Sequence, residues 1–236
     1  MKQLVYIITG TNKGLGAAFV KEIIFSKPDA IIISVGRRLN NEQIKYLESK
    51  SSNFYFSKTD LNKLRSIAKT LNLHYRIISN ADNLIFINNA GTVFPIEKIG
   101  SLNEKELIES TNVNALAPSI ITNYLLQHCS SKAIIFLNIT SGAAEKPIAG
   151  WATYCSGKAY SKMFFSVLQE QVKENSRIKV YQIDPGTMDT EMQHAIRNSN
   201  PAVFPRQKNF IELKQSEKLS IPQEIAKKIL GQIEFE

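Results

Sequence analysis

The chain of 236 residues is 43% hydrophobic and 21% charged, the balance of a globular protein long enough for one α/β domain with a sizeable core. Its formal net charge of +8 suits a polyanionic ligand, but basic residues are interleaved with acidic ones, as in IEKIGSLNEKELIES, which reads as solvated helix surface rather than a nucleic-acid face. No apolar run approaches the roughly 18 residues of a transmembrane span, and Cys129 and Cys155 fit neither a metal site nor a disulfide framework.

The first element is the apolar run LVYIIT (4–9), read as a strand. The surrounding MKQLVYIITG lacks the longer apolar core and cleavage site of a signal peptide. It runs into TGTNKGLG, Thr9 to Gly16, and an apolar helix over 15–26. Gly10 permits a tight turn, Gly14 lets the backbone approach a pyrophosphate, and Gly16 lets the helix pack on the strand. The helix N-terminus supplies free N–H groups. Asn12, Lys13 and Leu15 complete the loop, and Lys13 would face the anion. A second strand, AIIISV (30–35), leads into Arg37 and Arg38 with no adjacent acid. NAD-selective dinucleotide folds place an acid near here for the adenosine ribose, whereas arginine pairs with a 2′-phosphate, so NADP(H) is the expected cofactor.

A helix over 40–49 precedes the strand FYFSK (54–58), which ends just before Asp60 and Leu61. A helix over 61–79 leads to LIFIN (84–88), followed by Asn89, Ala90 and Gly91. Next come a helix over 103–129 carrying Asn114, the strand AIIFLNI (133–139) ending before Ser141, and a helix over 152–174. That helix places Tyr154 and Lys158 on one face, about one turn apart. The strand KVYQID (179–184) leads into Pro185 and Gly186. From about 190 to 220 the pattern is irregular and polar, interrupted by Pro201 and Pro205, before a last helix from Pro222 through EIAKKIL. Continuous apolar strands alternating with helices imply right-handed β-α-β units. The expected fold is α/β: a Rossmann-type doubly wound parallel sheet of about six strands with helices on both faces, one domain over 1–236. Ligands in such sheets sit beyond the carboxyl ends of the strands.

Several of these stretches, in this order, resemble the short-chain dehydrogenase/reductase family over nearly the whole chain. They are TGTNKGLG, Asp60, NNAG (88–91), Asn114 in NVNAL, Ser141 in ITSGA, YCSGK (154–158) and PGTMDT (185–190), with thirteen residues from Ser141 to Tyr154. The resemblance implies an oxidoreductase in which Tyr154 is the general acid in carbonyl reduction and Ser141 holds the substrate oxygen. Lys158 would lower the tyrosine pKa and bond the nicotinamide ribose, and Asn114 would complete a proton relay through water. Lowering is needed because a free phenol titrates near pH 10, and a nearby ammonium favours the phenolate. Asp60 with Leu61 would contact the adenine, Asn89, Ala90 and Gly91 would shape the cleft, and Pro185, Gly186, Met188 and Thr190 would flank the nicotinamide.

Two stretches, NITSGAAEKPIAGWATYCSGKA and DPGTMDTEMQHAIRNSN, are similar to the sepiapterin and benzil reductase branch, whose members reduce vicinal dicarbonyls with NADPH. Phe94, Ala143, Trp151 and Met192, with Met188, would line the substrate pocket, and residues from about 190 to 220 would be its lid. The family's usual seventh strand has no counterpart after KKIL, nor does the aspartate that binds the pterin ring, which weighs against pterin as substrate. A homodimer through the helices near 103–129 and 152–174 is expected, in the cytoplasm, with a small-molecule carbonyl as partner and no nucleic acid, membrane or metal. Alternative readings are a 3-oxoacyl carrier-protein reductase and a non-catalytic NADPH-binding sensor.

Overall fold

Short runs of Ile, Val, Leu and Phe form the strands of this protein because both of their faces are covered, leaving no side for polar alternation. The computed structural model describes residues 3–49, 53–129 and 132–233. Its six strands are β1 (Leu4–Thr9), β2 (Ile31–Gly36), β3 (Phe54–Lys58), β4 (Asn83–Asn88), β5 (Ala133–Ile139) and β6 (Ile178–Ile183). They form one all-parallel sheet in the order β3-β2-β1-β4-β5-β6. Successive residues of each strand feed opposite cores. Val5 and Ile7 of β1 pack with Leu84 and Phe86 on one side, and Tyr6 and Ile8 with Ile85 and Ile87 on the other.

The helices are α1 (Gly14–Ser26), α2 (Asn41–Glu48), α3 (Leu64–Leu73), α4 (Tyr75–Asn80), α5 (Glu104–Thr111), α6 (Ala117–Cys129), α7 (Ala152–Gln171), α8 (Glu191–Arg197), α9 (Gln207–Gln215) and α10 (Pro222–Leu230). Phe19 and Ile23 of α1 and Ala226 and Ile229 of α10 cover one face of the sheet. Ile67 and Leu71 of α3, Ile121 and Leu125 of α6 and Phe165 of α7 cover the other. The strand order reverses between β1 and β4, so a crevice opens at their carboxyl ends. This is a single Rossmann-like domain, as the alternation of runs predicts.

Three expectations are corrected in detail. The helix over 61–79 is two, α3 and α4, broken where His74 turns to hydrogen-bond Ser57 of β3. The helix over 103–129 is interrupted by a π-helical turn at Asn112–Leu116, and such turns concentrate at functional sites. The irregular stretch from 190 to 220 holds two short helices. One of them, α8, starts because the Thr190 side chain accepts the Gln193 N–H. The sheet has six strands among the described residues, and the chain after Ile233, where a seventh was judged absent, lies outside them. Among the described residues no helix is long and apolar enough to cross a membrane. Nor, among them, does any group of His, Cys, Asp and Glu stand together so as to hold a metal ion.

Candidate active site

The turn after β1 is built to admit something flat and anionic. Gly10 and Gly14 have φ of 71° and 55°, the left-handed region that favours glycine. A Cβ on Gly16 would stand 2.1 Å from the Gly10 carbonyl oxygen and 2.5 Å from Asn89 Nδ2. Asn89 locks this approach by donating to the carbonyls of Thr9 at 2.9 Å and Gly10 at 3.1 Å, while Thr9 Oγ1 accepts the N–H groups of Asn89 and Ala90. Beneath the loop, Gln43 Nε2 donates to Thr11 O at 2.7 Å and Asn40 Nδ2 donates to Asn12 O at 3.3 Å. No side chain caps α1, and no acid stands in its first turn. Its N–H groups and dipole therefore remain available to an anion. These residues fit the pyrophosphate of a dinucleotide.

The loop is one end of a cleft of about 780 Å³. Asn12, Lys13, Leu15, Arg37, Asp60, Leu61, Ala90 and Gly91 line it, as do Pro185, Gly186, Met188 and Thr190. Arg38 does not, although its charge reaches Glu191 of α8. Lys13 is paired with Glu191 across the cleft, which holds that carboxyl below its usual range. Asp60 Oδ1 accepts the Asn62 N–H at 3.1 Å, and Asn62 in turn accepts from Asn112 Nδ2.

Ser141, Tyr154 and Lys158 converge in the middle of the cleft. Ser141 lies just past the end of β5, and its hydroxyl caps the short turn at Gly142–Ala144. Tyr154 and Lys158 project from the first two turns of α7 and are 7% and 6% exposed. Asn114 stands behind them, with its side-chain amide bonded to Thr92 N, Thr92 O and Ser110 Oγ. Gly91 and Gly157 make room for it: a Cβ on Gly157 would lie 2.7 Å from Asn114 Cβ. The side chain of Asn114 is therefore a clamp on the loop that follows Gly91.

One electrostatic expectation is reversed. Burial raises the Tyr154 pKa above its ordinary value; the Ser141 hydroxyl offsets this in part, and Asp184 adds to it. Lys158 is not among the groups that shift it, and its Nζ donates to the Ile139 carbonyl at 2.7 Å. Burial also brings the Lys158 pKa down to about 8, with Asp184 opposing. At neutral pH the phenol is therefore protonated, the form a proton donor requires.

Phe94, Ala143, Trp151 and Met192 line the other end of the cleft. Trp151 stacks on Phe204 at 4.7 Å and meets the Tyr154 ring edge-on at 5.2 Å, with Phe210 alongside. Phe204 lies between α8 and α9, so the 190–220 segment packs onto the tryptophan. Gly150 permits this approach: its φ is 86°, and a Cβ there would stand 2.8 Å from Val203 O. The segment closes at its base through a bridge between Met188 and Ser220.

Sequence reasoning missed three supports. Asn40 and Gln43 form a capping box that braces the glycine loop, and its N-x-x-Q pattern was readable. Asn88, Asn138 and Gln182 share a register across β4, β5 and β6 and bond in series, with Ser161 of α7 donating to Asn138. Only the sheet order reveals that row. Asp184 follows β6 inside the cleft, and no spacing rule marks it.

The sequence profile described as short chain dehydrogenase matches residues 4–201. The chain is 34% identical over 238 residues to a benzil reductase ((S)-benzoin forming) of Bacillus cereus, covering 98% of this chain and 94% of that protein. It is 26% identical over 241 residues to the sepiapterin reductase of Xenopus tropicalis, covering 97% and 90%. Among solved structures, the KRED1-Pglu enzyme superposes with a TM-score of 0.80 at 26% identity, covering 95% of this chain and 92% of that one.

Proposed function

The chain belongs to the short chain dehydrogenase family, and on that premise we propose that it is an NADPH-dependent carbonyl reductase acting on a ketone of a vicinal dicarbonyl. The observation that carries this reading is the convergence of Ser141, Tyr154 and Lys158 between a dinucleotide cradle and an aromatic pocket. The family acts on CH–OH and C=O groups with nicotinamide cofactors, and the bound cofactor supplies the hydride.

The protein's own residues then have distinct tasks. Ser141 holds the carbonyl oxygen, and Tyr154 donates its proton to that oxygen as negative charge develops there. Burial keeps the phenol protonated until that moment. Lys158 is anchored on Ile139 O, and its remaining N–H groups would hold the cofactor ribose. Arg37 on the cleft wall favours a 2′-phosphate, and Trp151 with Phe94 and Met192 accommodates an aromatic or apolar flank of the substrate. The 190–220 segment acts as the lid over that flank. The benzil reductases among the relatives support the dicarbonyl assignment. Tyr160, Met163 and Val167 form an exposed apolar stripe on α7, 46%, 66% and 58% exposed, which supports a homodimer through that face. A cytoplasmic setting fits both cysteines being free thiols.

The test follows NADPH absorbance with benzil, sepiapterin and an acetoacetyl thioester offered separately. Benzil turnover is expected, and Tyr154→Phe should lose about 10²-fold or more in kcat while retaining NADPH affinity. Tight NADPH binding without turnover of any carbonyl would replace this reading with a sensor. Preferential reduction of the thioester would replace it with a carrier-protein reductase.

A further inference from the structure

The acid just after β6 has no task in the scheme above. Asp184 follows Ile183, whose carbonyl accepts the Thr140 N–H at 2.9 Å, and this sets the carboxylate beside the Ser141 turn. One oxygen, Oδ1, accepts the Gly186 N–H at 2.9 Å and so holds the turn after β6. The other, Oδ2, lies 3.5 Å from the place a Cβ on Gly142 would occupy. Asp184 is exposed in the cleft and forms no ion pair among the described residues. Asp60, Glu106, Glu109 and Glu191 also line the cleft, yet Asp184 is the one whose charge acts on both Tyr154 and Lys158. A turn cap alone does not require a charge, since an asparagine would accept the same N–H bond.

We infer that Asp184 is a specificity-determining residue whose carboxylate confines the reaction chamber to uncharged carbonyl compounds, admitting a ketone, diketone or keto ester and rejecting a 2-oxo acid. In a 2-oxo acid the carboxylate is bonded to the reacting carbonyl carbon, so it must enter the same few ångströms as Ser141 and Tyr154. Two like charges a few ångströms apart repel by about 1 kcal/mol even in water and by more beside protein, enough for severalfold discrimination or more. Lys146 and Arg206 also line the cleft and would draw an anion to it. Lys158 also stands in the cleft, with its ammonium donating to Ile139 O. The discrimination therefore falls at the reacting carbon rather than on entry.

The inference rests on the carbonyl-reductase reading, and its test separates the two. Phenylglyoxylate and its methyl ester share a skeleton and differ in charge, and each is offered with NADPH to the wild type and to Asp184→Asn. The wild type is expected to favour the ester, and the ester-to-acid ratio of kcat/KM should fall about tenfold or more in the variant. A purely structural role would slow both substrates together and leave the ratio unchanged, which would overturn the inference. So would a wild type that reduces the acid as well as the ester. If the wild type reduces neither these nor benzil, the carbonyl-reductase reading fails. The charge rule is then read from binding of benzoate against benzamide to the NADPH-loaded protein. Asp184→Asn should tighten benzoate selectively, and equal shifts for both ligands would overturn the rule.

Discussion

Gly16→Ala puts a single methyl group where the structure leaves none. The new Cβ would stand 2.1 Å from Gly10 O and 2.5 Å from Asn89 Nδ2, and the first of these is backbone that cannot swing away. Either α1 moves off the strand or the glycine loop opens. Overpacking of this kind costs about 1–3 kcal/mol. Displacing Asn89 also threatens its bonds to Thr9 O and Gly10 O, worth about 0.5–1.5 kcal/mol each. The combined loss, about 2–6 kcal/mol, corresponds to a Tm lower by about 4–24 °C for a chain of this size. A second loss should appear with ligand: NADPH at a hundred times its Kd adds about 2.7 kcal/mol to the wild type, and the variant should gain far less. Urea unfolding with and without NADPH measures both. Gly231→Ala is the control, because that residue has φ of −73° and its nearest would-be contact is an ordinary 3.5 Å. It should change stability by no more than about 0.5 kcal/mol. Identical unfolding curves for the two variants, with equal gains from NADPH, would refute the reasoning.

Glu191→Gln removes the carboxylate that now engages Lys13, so NADPH should bind about threefold to tenfold tighter at low salt, with the gain shrinking as salt rises. Fluorescence titration reads this, and weaker binding would show that the pair supports the site. Arg37→Ala should weaken NADPH much more than NADH, and equal changes in both Kd values would remove Arg37 from the 2′-phosphate. Burial lowers the Lys158 pKa from 10.5 to about 8, so between those values the unfolded chain binds the extra proton and wild-type stability rises with pH. Lys158→Met lacks this dependence. Its unfolding free energy relative to wild type should be highest below pH 8 and decline toward pH 10.5, and a flat difference would contradict the buried charge.

The strands and the glycine loop were legible because their signals are local: runs of apolar residues, and glycines at positions where only glycine fits. Phe54–Lys58 and Ala133–Ile139 have the limits that the apolar runs suggest. The site was legible where function depends on spacing along one helix, as with Tyr154 and Lys158. What was hidden depends on distance through space. The Tyr154 pKa is set by burial, by the Ser141 hydroxyl and by an acid thirty residues later, while Lys158 donates to a β5 carbonyl. The π-turn at Asn112–Leu116 is equally silent in sequence, because NVNALAP reads as ordinary helix until Asn114 must reach Thr92. Two prolines disguised α8 and α9, which are held by Ile196 of α8, Phe204 between the helices and the half-buried Phe210 of α9 packing with Trp151.

The bridge between Met188 and Ser220 has an evolutionary meaning. The chain between those two residues is an excursion that begins beyond β6 and ends before α10, with both of its ends tied together. The cost of closing such an excursion grows only slowly with its length. The intervening chain can therefore be lengthened, shortened or exchanged for another while Tyr154, Lys158 and the glycine loop keep their places. A chimaera spliced at Met188 and Ser220 would therefore measure how much this excursion adds to a pocket that Phe94, Trp151 and Asp184 line from outside it.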